Sequence, residues 1–258
     1  MKQLEYNQLI GFKFNSPQLV TNNCAHVFGG RNRDDAGNFS FSGGRDILAA
    51  QRVRANWCDY LSANPAHLVV GGQTHTANVQ VVDYSHQSRG ALTPSSVIAD
   101  CDGLLTTCPN LPLYIGVADC SAVLLSSPTA VAVVHAGWRG LESQIIDVAI
   151  SKMVEQGSTL DEIWGGVAPC IRAQSYEVGP EVARQCPDSA KYRGRADRWQ
   201  VDIALWAQQQ LLDCGLLPEN VELSKIDSYS DQRLFSHRRQ GAAAGRNGLL
   251  AMLVDDSD

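Results

Sequence analysis

No stretch of this 258-residue sequence approaches the ~20 uncharged apolar residues that a membrane-crossing helix needs. The amino-terminal segment MKQLEYNQLIGFKF carries Glu5, Asn7 and Gln8 where a secretion signal would be continuously apolar. A soluble, cytoplasmic protein with no membrane partner is therefore expected. Positive charge is also scarce. Twenty-one Lys and Arg against 27 Asp and Glu leave a net charge of −6, and basic clustering is limited to sparse groupings such as Arg31/Arg33 and Arg238/Arg239. A nucleic-acid surface needs denser basic clustering than that, so no nucleic-acid partner is expected. Cysteine pairs of the CxxC type are absent, and eight scattered cysteines in a chain this long do not make a disulfide framework. Cys24, Cys58, Cys186 and Cys214 sit among apolar neighbours and are expected to be reduced core residues. Cys101, Cys108 and Cys170 lie nearer the dense central block. No internal repeat, low-complexity tract or Pro/Ser-rich linker marks a boundary, so one domain over 1–258 is expected.

What the sequence does contain is a series of short apolar runs bounded by turn residues, as buried strands should be. They are HLVVGG (67–72), VQVVDY (79–84), LPLYIGV (111–117), AVLLSS (122–127) and AVAVVHA (130–136). From Asp46 to Leu61, the positions Ile47, Leu48, Val53, Trp57 and Leu61 recur at helical spacing until Asn64-Pro65 stops them. After His135 the period becomes helical, with Leu141, Ile145, Val148 and Met153 on one face and Gly157 at the end. IWGGVAP (163–169) reads as a further strand, Asp202 as the N-cap of a helix closed by Gly215, and VELSKI and GLLAMLV as late strands. This order mixes neighbouring strands with helical crossovers and lacks a regular βαβ repeat. It predicts an α+β fold with mixed β-sheets flanked by helices. The Gly-, Asn- and Asp-rich stretch 29–44 reads as a loop able to wall a site.

Three residues in the dense block carry the chemistry. His135 ends a predicted strand, Cys120 sits in the turn between two, and His75 lies between the runs at 67–72 and 79–84. Two imidazoles and a thiol suit zinc with an open coordination position, or copper, and also suit a Cys-His nucleophile pair. A closed four-ligand structural site is the non-catalytic alternative, with Cys170, Cys101 or His26 as the fourth donor. In HAGWRGL, Gly137 and Gly140 allow a tight turn, and the helix start with Arg139 offers an anion site. FSHRRQGAAAGR adds Arg238, Arg239 and Arg246 as candidate phosphate or carboxylate contacts.

The chain resembles the YfiH/DUF152 family, also called laccase-domain or multicopper polyphenol oxidase-like proteins. The resemblance rests on QTHTANV (73–79), DGLLTT (102–107), PLYIGVADCSAVLL (112–125), AVVHAGWRGL (132–141), APCIRAQSYEVG (168–179) and FSHRRQGAAAGR (235–246). It implies a single YfiH-like sandwich domain in which His75, Cys120 and His135 are both metal-binding and catalytic, usually with zinc. It also implies purine nucleoside chemistry. Phosphorolysis of adenosine, inosine, guanosine or methylthioadenosine would be combined with adenosine deamination, with a purine nucleoside and phosphate as small-molecule partners and Gln73, Arg139 and Arg246 as substrate or anion contacts. Copper-dependent polyphenol oxidation and cysteine-type hydrolysis of peptidoglycan precursors are the family's alternative activities. The six histidines are too few for a four-copper oxidase. The H-x-E signature of the usual zinc nucleobase deaminases is missing too, since Thr76 and Ala77 follow His75. The chain departs from the family pattern at Arg172, where Gly is usual, at Ser175, where Cys is common, at Asp227-Ser228, which replace Cys-Thr, and at His237, which replaces Tyr.

Overall fold

Alternation along the central strands explains the architecture. In the strand Val131–Ala136, Val131 and Val133 join one buried cluster while Ala132, Val134 and Ala136 join another. Ser121–Ser126 divides the same way, with Ala122 and Leu124 on one side and Val123 and Leu125 on the other. Asn247–Leu253 splits Leu249 and Ala251 from Leu250 and Met252. Strands apolar on both faces must be covered on both, so the chain forms two sheets packed face to face with helices outside.

The computed structural model describes residues 1–32, 36–41 and 46–255, so Arg33 and parts of the predicted 29–44 loop lie outside the described residues. One sheet runs Lys2–Tyr6, Leu9–Lys13, Cys24–Gly29, Asn247–Leu253, Leu113–Val117, Val69–Gly72 and Ile98–Ala99. The second runs Val221–Leu223, Trp164–Val167, Ser121–Ser126, Val131–Ala136, Gly103–Thr106 and Val79–Val81. Both are mixed. Val131–Ala136 pairs antiparallel with Ser121–Ser126, whereas Val69–Gly72 runs parallel to Leu113–Val117 and Val79–Val81 parallel to Gly103–Thr106. The fold is α+β, as expected.

The inter-sheet layer holds Phe28, Leu113, Ile115, Leu124, Val133 and Leu249. The helices Ile145–Glu155 and Ile203–Asp213 cover the outer face of the second sheet through Ile146, Ala149, Met153, Ala207 and Leu211. Ile47–Tyr60 covers the first sheet through Val53 and Trp57. Burying each such large side chain contributes about 1.5–3 kcal/mol. Asp46 and Asp202 cap their helices by accepting from Ala49 N and Leu205 N, as the sequence pattern predicts for Asp202.

Two local expectations are corrected. The single helix expected after His135 is two, Trp138–Glu142 and Ile145–Glu155, broken where Gln144 takes a left-handed conformation (φ 61°). Leu141 and Met153 therefore reach the same core from different helices. The amino-terminal segment, for which no strand is predicted, forms one flank of the first sheet. Its outermost strand, Lys2–Tyr6, is largely solvated and therefore lacks the apolar signature of the central strands. Among the described residues, no helix is long and apolar enough to cross a membrane. All eight cysteines are free thiols, but Cys214, expected in the core, is only partly buried and faces Asp147.

Candidate active site

The site forms where the chain passes between the sheets. Leu113–Val117 belongs to the first sheet and Ser121–Ser126 to the second, so the turn 118–120 that carries Cys120 bridges the two layers. His135 has the parity of Val131 and Val133 and closes its strand beside that turn. His75 follows Val69–Gly72 in a left-handed conformation (φ 65°), a strained choice for a non-glycine residue. The ligand atoms of His75, Cys120 and His135 all lie within 4.8 Å of one another. The two imidazoles meet edge to face with ring centroids 4.8 Å apart.

One carboxylate holds both histidines. Asp102 is fully buried and accepts from the backbone N–H of Thr74 (3.1 Å), His75 (3.0 Å) and Thr76 (2.8 Å), and from Thr76 Oγ1 (2.9 Å). It also accepts from His135 Nδ1 at 2.7 Å, which directs His135 Nε2 to the thiol side. The sequence reading quoted Asp102 within DGLLTT but gave it no role. A carboxylate directly before the fully buried strand Gly103–Thr106 was the available signal.

Gly137 serves a different purpose from the tight turn expected of it. Its backbone is ordinary (φ −76°, ψ 172°), but a Cβ there would lie 2.8 Å from Cys120 Sγ and 3.5 Å from His75 Cδ2. Space beside the thiol is what requires glycine. Asp119, left-handed at φ 85°, anchors the other side of the cysteine turn by accepting from Ser228 Oγ and Arg238 N, both at 2.6 Å.

The electrostatics make the thiol a ready ligand or nucleophile. Burial pushes Cys120 up, but the charge and hydrogen bond of His135, helped by His75, outweigh it and bring the thiol down to about 6. Burial pushes His135 down, yet Cys120 and Asp102 together raise it to about 9. Burial likewise opposes ionisation of Asp102, but His135 and the Thr76 and Thr74 amides hold its carboxyl far below the usual carboxylate range. The shifts of Cys120 and His135 both favour the thiolate–imidazolium form of the pair. The donor set fits a soft or borderline divalent metal, with His75, Cys120 and His135 as ligands. Among the described residues, no fourth His, Cys, Asp or Glu joins the group. His26 instead accepts from Phe14 N, Cys101 Sγ lies 3.0 Å from Gly103 O, and Cys170 is buried outside the cluster.

The three ligands open into a cavity of ≈ 650 Å³, within the range of small-molecule sites. Trp138 and Tyr176 provide aromatic walls, and Ser40 and Phe41, from the predicted wall-forming loop, complete another side. Gln73, Arg139, Arg238 and Arg246 all line it. Gln73 exchanges two hydrogen bonds with Gly116, through Nε2 to the carbonyl (2.8 Å) and Oε1 from the amide (2.9 Å). Arg139 stacks over Trp138 and Arg238 over Tyr176. Arg239 is spent elsewhere, donating to the carbonyls of Ser228, Tyr229, Asp231 and Leu234. The helix bearing Arg139 has only five residues.

Three of the family departures have partners in this structure. Ser175 Oγ donates to Asp227 Oδ2 at 2.6 Å, so two replaced cysteines become a hydrogen-bonded pair. Arg172 Nε meets both oxygens of Asp202 at 3.0 Å, and Ser228 supports Asp119. His237 lines the cavity.

The family model described as multi-copper polyphenol oxidoreductase laccase matches residues 29–254. The chain belongs to this family. Among relatives of this laccase-like group, a protein of Bacteroides thetaiotaomicron named purine nucleoside phosphorylase is 28% identical over 211 residues, 76% of this chain and 78% of its own. Adenosine deaminase RL5, from an unknown prokaryotic organism, is 27% identical over 227 residues, covering 84% and 87%. The crystal structure of YlmD from Geobacillus stearothermophilus superposes with a TM-score of 0.90 over 98% of both chains at 20% identity, which establishes the shared fold.

Proposed function

We propose that the chain is a zinc-dependent purine nucleoside phosphorylase that also deaminates adenosine. The observation that carries this reading is the three-donor His₂Cys group at the wall of a small-molecule cavity, joined by no fourth protein donor among the described residues. A structural zinc site closes with four protein ligands, whereas a catalytic one keeps a position for water or substrate. A metal bound there would supply Lewis acidity next to the substrate. The protein's own groups perform the remaining tasks. Asp102 orients the His135 ring and anchors the His75 backbone, Trp138 and Tyr176 present flat apolar faces suited to a purine, and Gln73, Arg139 and Arg246 serve as substrate and anion contacts. The relatives named purine nucleoside phosphorylase and adenosine deaminase support this choice of substrates. The partners are small molecules, and the protein works in the cytoplasm.

The test is metal analysis of protein purified without added metal, followed by product analysis with adenosine in the presence and absence of phosphate. Stoichiometric zinc and phosphate-dependent ribose 1-phosphate are expected; absence of either overturns the reading. Copper-dependent oxidation of phenols is the outcome if copper fills the site instead.

One observation favours a second reading. Asp102, His135 and Cys120 stand in the order orienting group, base and nucleophile, with the thiol near 6. Cysteine-type hydrolysis follows from that relay. It requires activity that survives chelation and disappears on alkylation of Cys120.

A further inference from the structure

Among the described residues, Arg54 is a buried cation without a counter-charge. It projects from the helix Ile47–Tyr60, is 5% exposed and lines the cavity. Its partners among the described residues are neutral, and one of them is the Tyr114 phenol, to which its guanidinium donates. Nε donates to Phe39 O at 3.0 Å and Nη1 to Gly90 O and Ala91 O at 2.8 and 3.4 Å, while the guanidinium lies over the rings of Phe41 (3.7 Å) and Tyr114 (4.8 Å). Burying a guanidinium among neutral groups is costly, and the cost is ordinarily offset by a carboxylate. Elsewhere even the less buried Arg172 is paired with a carboxylate, that of Asp202. Among the described residues, none of the cavity's arginines (54, 139, 238 and 246) forms an ion pair. The one carboxylate among the described lining residues, Asp119, is occupied by Ser228 and Arg238 N. A chain with net charge −6 thus gathers positive charge in its cavity that no described carboxylate offsets.

We propose that the Arg54 end of this cavity is a phosphoryl-oxyanion subsite built from Arg54, Tyr114 and Arg246. The ring contacts with Phe41 and Tyr114 and the three carbonyl contacts hold the Arg54 guanidinium in place, and a planar fork suits a tetrahedral oxyanion better than a flexible ammonium. Gly116 opens the space beside the phenol: a Cβ there would lie 2.5 Å from Tyr114 Oη and 3.5 Å from Arg246 Cβ. The Gln73 clamp on Gly116 ties this corner to the loop of His75, two residues on. The bound phosphoryl group is either free phosphate or the 5′-phosphate of a nucleotide. Its role as co-substrate rests on the phosphorolysis reading, but its binding does not. Arg139, stacked over Trp138, remains a substrate contact at the aromatic wall rather than a member of this subsite.

The test is calorimetric titration of the metal-loaded protein with inorganic phosphate and, separately, with adenosine 5′-monophosphate, for the native chain and for Arg54→Lys, Arg246→Met and Tyr114→Phe. Arg54→Lys disturbs three carbonyl contacts, so Arg246→Met and Tyr114→Phe, with folding verified by circular dichroism, keep the test decisive. Loss of one charge-assisted contact predicts an affinity at least about tenfold weaker for Arg246→Met. Binding of inorganic phosphate alone identifies a free-oxyanion subsite; binding of the nucleotide but not of phosphate identifies a 5′-phosphate subsite. Unchanged affinity in both folded variants, or a loss seen only in an Arg139→Ala variant titrated alongside them, overturns the proposal. If phosphate binds at this corner and no ribose 1-phosphate forms, the subsite stands and phosphorolysis falls. If ribose 1-phosphate forms with an unchanged KM for phosphate in Arg246→Met, phosphorolysis stands and the subsite falls.

Discussion

His135 Nδ1 donates to Asp102 Oδ1 at 2.7 Å, and the same carboxylate accepts from the His75 backbone N–H at 3.0 Å, so one buried aspartate sets the positions of two ligands 60 residues apart in the chain. Nδ1 is thereby committed, and Nε2 is left to face Cys120.

Asp102→Asn tests that dependence. The amide keeps the shape but loses the charge, and its NH₂ group cannot accept from the Thr74, His75 and Thr76 amides as the carboxylate does. Metal affinity, measured by competition with a chromogenic chelator, is expected to fall about 10–100-fold. An unchanged affinity would remove Asp102 from the metal site.

The three ligands differ in their structural cost. His75→Ala and Cys120→Ala remove less buried groups, and each is expected to abolish turnover with little change in the stability of the metal-free protein. His135→Ala strips a fully buried carboxylate of one of its five hydrogen-bond partners, and about 1–3 kcal/mol of stability is expected to go with it. Denaturant titration of the three metal-free variants checks the order; equal losses would contradict it.

Gly137→Ala places a methyl 2.8 Å from Cys120 Sγ. The thiol must move, and a shift of about 1 Å at a reacting centre costs on the order of a hundredfold in rate. Far-UV circular dichroism is expected to be unchanged while bound metal and turnover fall together.

His26 supplies a pH dependence away from the ligands. Burial, helped by the charge of Lys13, lowers it from its ordinary 6.5 to about 4, and its Nε2 accepts from Phe14 N in the neutral form. Between those values the unfolded chain binds a proton that the folded chain excludes, so this contribution to stability is full above pH 6.5 and declines as pH falls toward 4. The loss amounts to roughly 3 kcal/mol across that window. Urea unfolding of the native chain and His26→Gln at pH 7 and pH 4.5 measures it; the variant is expected to show a shallower decline.

Much of the molecule is legible in its sequence because local physics writes it there. The runs at 111–117, 122–127 and 130–136 are apolar on both faces since each strand packs against both a sheet and a covering helix, and Asp202 precedes its helix because a cap must accept the free amides. His75, Cys120 and His135 were identifiable as soft donors at strand ends, and the structure brings them together. The break at Gln144 was hidden because Leu141 and Ile145 face a common core at a spacing that an unbroken helix would also produce. Asp102 and Arg54 were missed for a different reason. Their importance lies in what surrounds them: five donors converging on one carboxylate, and a guanidinium enclosed by carbonyls and rings from segments far apart in the chain. Sequence alone determined the kinds of strand and the chemistry of the ligands, because periodicity and residue type are local properties. Only the tertiary structure decided which carboxylate holds the histidines, why residue 137 is glycine and where the cavity concentrates its charge, because these depend on distances between residues that the chain does not place side by side.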